Sequence, residues 1–288
     1  MMNSETSISC AHSTDMPTDC ENCGHNGLEQ FINTPNHRLL RCPKCNLYQK
    51  GFLESNTVYE GEYHNRYWSR RQAKIRTATI RLASTTKYLN SDSPRMLDVG
   101  CSVGATLEAA KNLGWDGIGV DISEDAIEFC QAKGLNCQKI EGVKLPFEDN
   151  QFDIITNWHV IEHVHDVSET LEEWRRVLKP GGIMILETPD ANYLKAEIMG
   201  TRYRRFWPAE HLYTFNPKNL SSFLTRSGFE IMPTRLIGKP SCLKSSMNLY
   251  ALAYRGLREA SRKLRLCKSF EICCRKPISA STARSIAA

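Results

Sequence analysis

No run of apolar residues in this 288-residue chain is long enough to span a bilayer, and its polar N-terminus lacks the apolar core of a signal peptide. Both absences point to a cytoplasmic protein. A strong charge imbalance is also missing. The net charge is only +5, and residues 255–288, with nine Lys and Arg against two Glu, account for it. A basic tail on a near-neutral body is not the footprint of a nucleic-acid binder. The apolar fraction of 41% and the charged fraction of 24% are ordinary for a globular protein, which excludes a disordered chain. Cysteine, by contrast, is plentiful. Twelve of them in a cytosolic chain should do something other than form disulfides.

Another shortage lies in the stretch Arg95–Asp121. It reads as strand, glycine turn, helix and second strand. Met96, Leu97 and Val99 form a buried parallel strand ended by Gly100. Leu107, Ala110 and Leu113 follow at helical spacing, Gly114 stops the helix, and Gly117–Val120 leads to Asp121. A dinucleotide fingerprint needs G-x-G-x-x-G, but the positions starting at Gly100 hold Ser102 and Ala105 in place of two glycines. The turn D-x-G-x-G-x-G is matched by Asp98, Gly100, Ser102 and Gly104 with one substitution, serine for glycine. A carboxylate at Asp98 would repel a pyrophosphate but suits a sulfonium and an α-amino group. Asp121, at a strand's carboxyl end, can accept from a ribose diol.

On these residues the chain resembles the class I S-adenosylmethionine-dependent methyltransferases. The resemblance continues through Leu145-Pro146-Phe147, the strand Gln151–Asn157 and the Leu178-Lys-Pro-Gly-Gly182 turn before the strand Ile183–Glu187. It spans roughly residues 95–187. It implies a Rossmann-like α/β fold with a mostly parallel sheet of about seven strands. It also implies a cofactor-contacting set of Asp98, Gly100, Ser102, Gly104, Asp121, Ile122, Glu141 and Asn157, with Glu141 accepting from the adenine amino group. The run Pro208-Ala-Glu-His211-Leu-Tyr213-Thr-Phe215, then a helix and Gly228-Phe229, is similar to a subfamily met in ubiquinone, sugar and polysaccharide pathways.

Ahead of this domain, Cys20-Glu-Asn-Cys23 and Cys42-Pro-Lys-Cys45 have the spacing of a two-knuckle zinc ribbon, and four thiolates make a closed structural site. The expected organisation is a disordered segment 1–18, a ribbon 19–50, an aromatic linker and helix 51–93, the cofactor-binding domain 94–240, and a basic helical tail 241–288. The aromatic-rich segment at about 190–215 is expected to form a lid over the acceptor. The tail is expected to pack on the domain, with weak peripheral membrane contact as an alternative.

Methyl transfer needs an aligned acceptor and a base for its proton, and neutral histidine suits pH 7. His159 and His163 follow the fourth strand, and His211 lies in the predicted lid, the preferred base on that position. Related quinone-pathway O-methyltransferases carry E-x-x-E-H and bind a divalent cation there. Here the pattern is His159-x-x-Glu162-His163. The expected acceptor is a small molecule: a hydroxyl of a sugar, lipid or quinone-type precursor. Two other functions remain open, an RNA-modifying enzyme gripping phosphates with ribbon and tail, and a non-catalytic binding protein that keeps the fold.

Overall fold

The computed structural model describes residues 17–34, 37–51, 70–203, 207–208, 210–233 and 264–278. Glu29–Thr34 (β1), His37–Arg41 (β2) and Tyr48–Lys50 (β3) form an antiparallel meander beside the cysteine knuckles. Next come helix Arg71–Thr85 (α1), strand Arg95–Val99 (β4), helix Ala105–Asn112 (α2), strand Asp116–Asp121 (β5), helix Glu124–Ala132 (α3) and strand Cys137–Lys139 (β6). Strand Phe152–Trp158 (β7) leads through a 3-10 turn, Ile161–His163, to helix Val167–Val177 (α4) and strand Leu178–Pro189 (β8). Helix Leu194–Met199 (α5), strand Tyr213–Thr214 (β9), helix Pro217–Arg226 (α6) and strands Glu230–Ile231 (β10) and Ser269–Arg275 (β11) follow among the described residues.

Local chemistry accounts for the boundaries. Ser123 caps α3 by accepting from Ala126, and Asp166 caps α4 by accepting from Glu169 at 2.9 Å. Asn216 and Asn219 cap α6 reciprocally, with Pro217 in its first turn. The Lys179-Pro-Gly-Gly182 stretch ends α4 as expected, yet it lies inside β8. Register against β7 jumps from Phe152↔Leu178 to Ile154↔Ile183, a bulge that Gly181 permits at φ +80°.

The main sheet runs in the order β10-β11-β8-β7-β4-β5-β6, with β8, β7, β4, β5 and β6 parallel. Its inner strands β4, β7 and β8 are buried on both faces over most of their length, hence their largely apolar runs. Leu97, Val99 and Ile155 pack toward α4 and α6, whereas Met96, Ile154 and Ile185 pack toward α1 and α2. Among the described residues no helix is long and apolar enough to cross a membrane.

Two expectations need correction. The described part of the tail is not helical: Ser269–Arg275 is β11, antiparallel to β8 and flanked on its other edge by β10. Phe270, Ile272 and Cys274 alternate toward one face and all are buried, a period of two that the adjacent Cys273-Cys274 pair and the basic flanks conceal. The cofactor domain therefore extends past residue 240. Residues 247–263, with the proposed membrane helix, and the linker 52–69 lie outside the described residues, as do the expected strand 235–238 and Arg204, Arg205 and Phe206 of the lid.

The second correction concerns the lid. The described part of 190–215 docks on the ribbon. Trp207 packs on Phe31 and Tyr48 with ring centroids 4.9 and 4.6 Å away, and β9 adds to β3 as the fourth strand of the small sheet. The aromatic crowding reflects an apolar interface between ribbon and domain.

Because β11 is an interior strand, Ile272→Ala is expected to destabilise the protein by about 2–4 kcal/mol. Urea unfolding checks this; a neutral result would place residues 269–275 outside the sheet.

Candidate active site

A cavity of about 450 Å³ opens at the carboxyl ends of β4, β5 and β7, beneath α1. It forms at the switch point of the sheet, where β5 and β6 lie on one side of β4 and β7 and β8 on the other. Its floor is Asp98, Gly100, Cys101 and Ser102; Asp121 and Ile122 stand on one side, and Trp158, His159 and His163 on another.

Asp98 is 1% exposed and accepts from the Thr156 hydroxyl at 2.7 Å. Burial, only partly countered by the threonine hydrogen bonds, pushes its carboxyl up to about 7. Such a group favours a cationic ligand, which stabilises its ionised form. Asp121 spends one oxygen on the Ser102 amide at 2.8 Å and the other on the Ser123 amide at 2.9 Å. It thereby ties the glycine turn to β5, and it lines the cavity.

The turn itself is left-handed at Gly100, Ser102 and Gly104, with φ of +72°, +46° and +68°. A Cβ on Gly100 would sit 2.2 Å from Val160 Cγ2, so that glycine is also demanded by packing. Ser102 occupies the second glycine position in a conformation that costs a side-chain-bearing residue about 1 kcal/mol. Its hydroxyl is buried in the cavity wall without a hydrogen-bond partner among the described residues.

Not every expected cofactor residue reaches the cavity. Ile122 does, 55% exposed, and with Ile140 it supplies an apolar wall. Glu141 is exposed and not part of that wall; its neighbour Ile140 holds the position. Asn157 is fully buried on the other face of the sheet, among Val99 and Leu186 partners, with both amide atoms unpaired among the described residues.

The histidines fall into two layers. His159 and His163 line the cavity. His159 adopts φ +59°, unusual for a residue with a side chain. Its Nδ1 lies 3.1 Å from Oε1 of Glu162, which has no solvent exposure. The other Glu162 oxygen accepts from Thr188 Oγ1 at 2.9 Å. Burial alone would lower the His159 pKa, but the Glu162 hydrogen bond and charge outweigh it and the net shift is upward. Burial likewise opposes ionisation of Glu162, while His159 and the neighbouring imidazoles hold its carboxyl below the usual range. His211 does not line the cavity. It stands behind His163, rings crossing at 82° with centroids 4.8 Å apart, and burial lowers its pKa to about 4. Glu162, His163 and His211 offer ligand atoms that all lie within 4.8 Å of one another. The cation-ready trio thus exchanges His159 of the sequence pattern for His211, a juxtaposition only the fold creates.

The sequence predicted a helix before β4, found as α1, but not its part in the cavity wall. Arg70, Lys74, Thr77, Ala78 and Arg81 line the cavity at helical spacing, a periodicity visible in the sequence. Burial draws the Lys74 amine down to about 8. Arg81 lies 4.5 Å over the Trp158 ring and pairs with Glu187 at 2.5 Å and Glu271 at 2.6 Å, joining β8 and β11 to the wall.

The ribbon residues converge as expected. Cys20 and Cys45 sulfurs are 3.5 Å apart, Cys23 and Cys42 sulfurs 3.6 Å, and all four lie within 4.8 Å. Zinc–thiolate bonds of about 2.3 Å in a tetrahedron require sulfurs about 3.8 Å apart. Gly24 and Asn46 take φ of +62° and +57°, and their amides donate to the carbonyls of Cys20 and Cys42. The two knuckles share one geometry and leave no open ligand position.

A mostly parallel seven-stranded sheet, with acids at the ends of the adjacent strands β4 and β5 and a glycine turn between them, defines a class I S-adenosylmethionine-dependent methyltransferase. The chain belongs to the methyltransferase-domain family, whose model matches residues 67–234, more than half of its length. It is similar to a demethylmenaquinone methyltransferase of Staphylococcus saprophyticus, 42% identical over 103 residues, covering 33% of this chain and 44% of that one. It is also similar to a ubiquinone biosynthesis O-methyltransferase of Bradyrhizobium, 37% identical over 145 residues, covering 46% and 56%. The match spans 44% to 70% of the length of the first five curated relatives, and their activities are those proteins' own. The solved S-adenosylmethionine-dependent methyltransferase from Archaeoglobus fulgidus shares the fold at a TM-score of 0.52 and 23% identity, covering 74% of this chain and all of that one.

The residues fit the cofactor: a buried carboxylate for its cationic groups, a second for its diol, and an apolar wall for its base. Asp121→Ala is expected to abolish S-adenosylhomocysteine binding in calorimetry while leaving the fold intact; unchanged affinity would refute the site. Asp98 adds a pH signature. Its carboxyl sits near 7 in the free protein, and a cation beside it lowers that value, so binding of S-adenosylmethionine at pH 7 releases protons. The binding enthalpy should then vary with the buffer's ionisation enthalpy, and Asp98→Asn should shift that dependence toward proton uptake. Identical buffer dependence in wild type and variant would separate Asp98 from the ligand.

Proposed function

We propose that this chain transfers a methyl group from S-adenosylmethionine to a small-molecule hydroxyl, of a quinone-type, sugar or lipid precursor. The observation that carries the reading is His159, placed in the cavity wall and oriented by a buried, ionised Glu162 that Thr188 holds in turn. This is a base fixed by a carboxylate fixed by a hydroxyl. The bound sulfonium supplies an activated methyl group. His159 takes the acceptor's hydroxyl proton as the oxygen attacks, and Glu162 stabilises the imidazolium. The names of the curated relatives support a quinone-type acceptor. The ribbon and the described tail support a small molecule rather than RNA, because both are used inside the fold. Lys276 donates to the carbonyls of Arg175 and Leu178, Arg265 to that of Asn192, and ribbon strand β3 is paired on both edges. The cytoplasm suits such an enzyme.

His159→Asn and Glu162→Gln are expected to lower kcat by about 100-fold or more, with S-adenosylhomocysteine affinity unchanged. Transfer of labelled methyl to a panel of hydroxylated quinone precursors, phenols and sugars checks this. Full turnover in His159→Asn would remove the base assignment.

A second reading rests on the Glu162, His163 and His211 trio, two imidazoles and a carboxylate that suit a divalent cation such as zinc or manganese. In that case the metal would orient the acceptor oxygen. We infer a separate structural zinc in the ribbon. Metal analysis of the purified protein decides between the cases. One zinc per chain, lost with Cys42→Ala, is the ribbon alone; a second metal that disappears in His211→Ala adds the cavity site.

A further inference from the structure

The ribbon lies outside the cavity wall, yet it holds the backbone from which His211 projects. Leu212 is the bridge. Its amide donates to the Glu162 carbonyl at 2.8 Å, and its own carbonyl accepts from Lys50, the end of ribbon strand β3, at 2.8 Å. Either side of Leu212 the pairing continues: Gln49 is in register with Tyr213, and Nδ1 of His163 lies 2.9 Å from the carbonyl of Glu210.

Both knuckles add side-chain ties. From the first knuckle, Glu21 accepts the Tyr213 hydroxyl at 2.6 Å; that hydroxyl also reaches the His165 carbonyl at 3.1 Å. Tyr213 is 3% exposed, so its hydroxyl has little water to replace the exposed Glu21 carboxylate. Glu21 is itself held, its amide donating to the side chain of fully buried Gln49 at 3.2 Å. From the second knuckle, the Cys45 carbonyl accepts from Asn216 at 3.0 Å and Asn219 at 3.4 Å, the two residues that cap α6. The segment 211–219 is therefore anchored at one end to the first cysteine pair and at the other to the second. On its opposite side Leu212 meets the turn that carries Glu162 and His163, and Phe215 pairs with Asp190 and Ala191 after β8.

We propose that the zinc ribbon is a positioning element of the methyl-transfer site: its knuckles, through Glu21 with Tyr213 and Cys45 with Asn216, set His211 against His163 and Glu162. Filling of the four-cysteine site then controls the acceptor half of the cavity and leaves the cofactor half, built on β4 and β5, unaffected. The physical reason is leverage. A knuckle is rigid only when its four thiolates share an ion. Without it Glu21 and the Cys45 carbonyl lose their fixed positions, and the hydrogen bonds that register Leu212 between two layers lose one side. Glu21, Tyr213 and Asn216 are positioning residues, since none lines the cavity. The proposal deepens the methyltransferase reading and rests on it for the meaning of the histidine pair.

The test uses the full zinc-loaded chain with carbon-13-labelled histidine rings. In the wild type, ring-to-ring cross-peaks between His163 and His211 are expected in the NMR spectrum. Glu21→Ala, on the ribbon and touching neither histidine, is expected to lose those cross-peaks and move both ring signals, with S-adenosylhomocysteine affinity unchanged in calorimetry. Glu21→Gln keeps an acceptor for the tyrosine hydroxyl and is expected to restore them. Chelating the zinc from the wild type should displace the same two histidines, again with the cofactor analogue still bound. Should Glu21→Ala fail to fold, Tyr213→Phe cuts the same tie from the other side. Histidine signals unmoved by both the variant and zinc removal overturn the proposal. Loss of cofactor-analogue binding together with the histidine pair also overturns it, because the effect would then be general unfolding. Absence of analogue binding in the unaltered wild type instead overturns the methyltransferase reading, while the cross-peaks still decide the coupling.

Discussion

A carboxylate without solvent exposure stays ionised only where donors and positive charge converge on it, and Glu162 is that convergence here. Thr188 from β8 and His159 from the end of β7 meet its two oxygens, while its backbone carbonyl receives Leu212 from the segment docked on the ribbon. Three parts of the protein are thus referred to one residue: the sheet that carries the cofactor cavity, the turn that carries the candidate base, and the ribbon. Removing its charge would weaken its hold on the buried Thr188 hydroxyl and on the His159 ring.

The cavity has two chemical halves. Toward β4 and β5 it is acidic and glycine-lined, with Asp98 and Asp121 aimed at a cationic, diol-bearing ligand. Toward α1 it is basic, with Arg70 and Lys74 in the wall and Arg81 stacked on Trp158. An anionic group at that end would gain from the Lys74 amine, which burial has pulled down to about 8 and which a nearby negative charge would restore. Strain sits at the junction. Ser102 and His159 both adopt left-handed backbone, where glycine or asparagine would be easier, and both line the cavity. Backbone held this way survives because its surroundings over-determine it: Asp121 grips the Ser102 amide and the Glu187 carbonyl accepts from the His159 amide at 2.8 Å.

Ribbon and domain share a core. Cys20, Cys42 and Leu47 belong to the same apolar cluster as Leu212, Tyr213, Phe215 and Phe223. The ribbon cannot therefore swing as an independent module, and the order of its metal site is transmitted through contacts rather than across a flexible linker.

Local pattern was enough for much of this. The alternation of short apolar runs with helical periods between Arg95 and Glu187 could only be buried parallel strands with crossover helices, so the fold and the positions of Asp98 and Asp121 were legible. The cysteine pairs were legible for a similar reason: Gly24 and Asn46 supply the left-handed turn that the spacing demands. What the sequence alone could not decide is long-range pairing. That Ser269–Arg275 inserts between β8 and β10 depends on a strand more than eighty residues away; its alternation was masked by flanking basic residues. That Tyr193, Tyr203 and Trp207 pack on the ribbon depends on an interface between segments about 160 residues apart, Tyr48 with Trp207. Glu141 and Asn157 show the same limit on a smaller scale, since one residue's shift along a strand or loop turns a side chain out of the cavity. The exchange of His159 for His211 beside Glu162 and His163 is decided entirely by tertiary structure, because only the folded chain brings position 211 within 4.8 Å of positions 162 and 163.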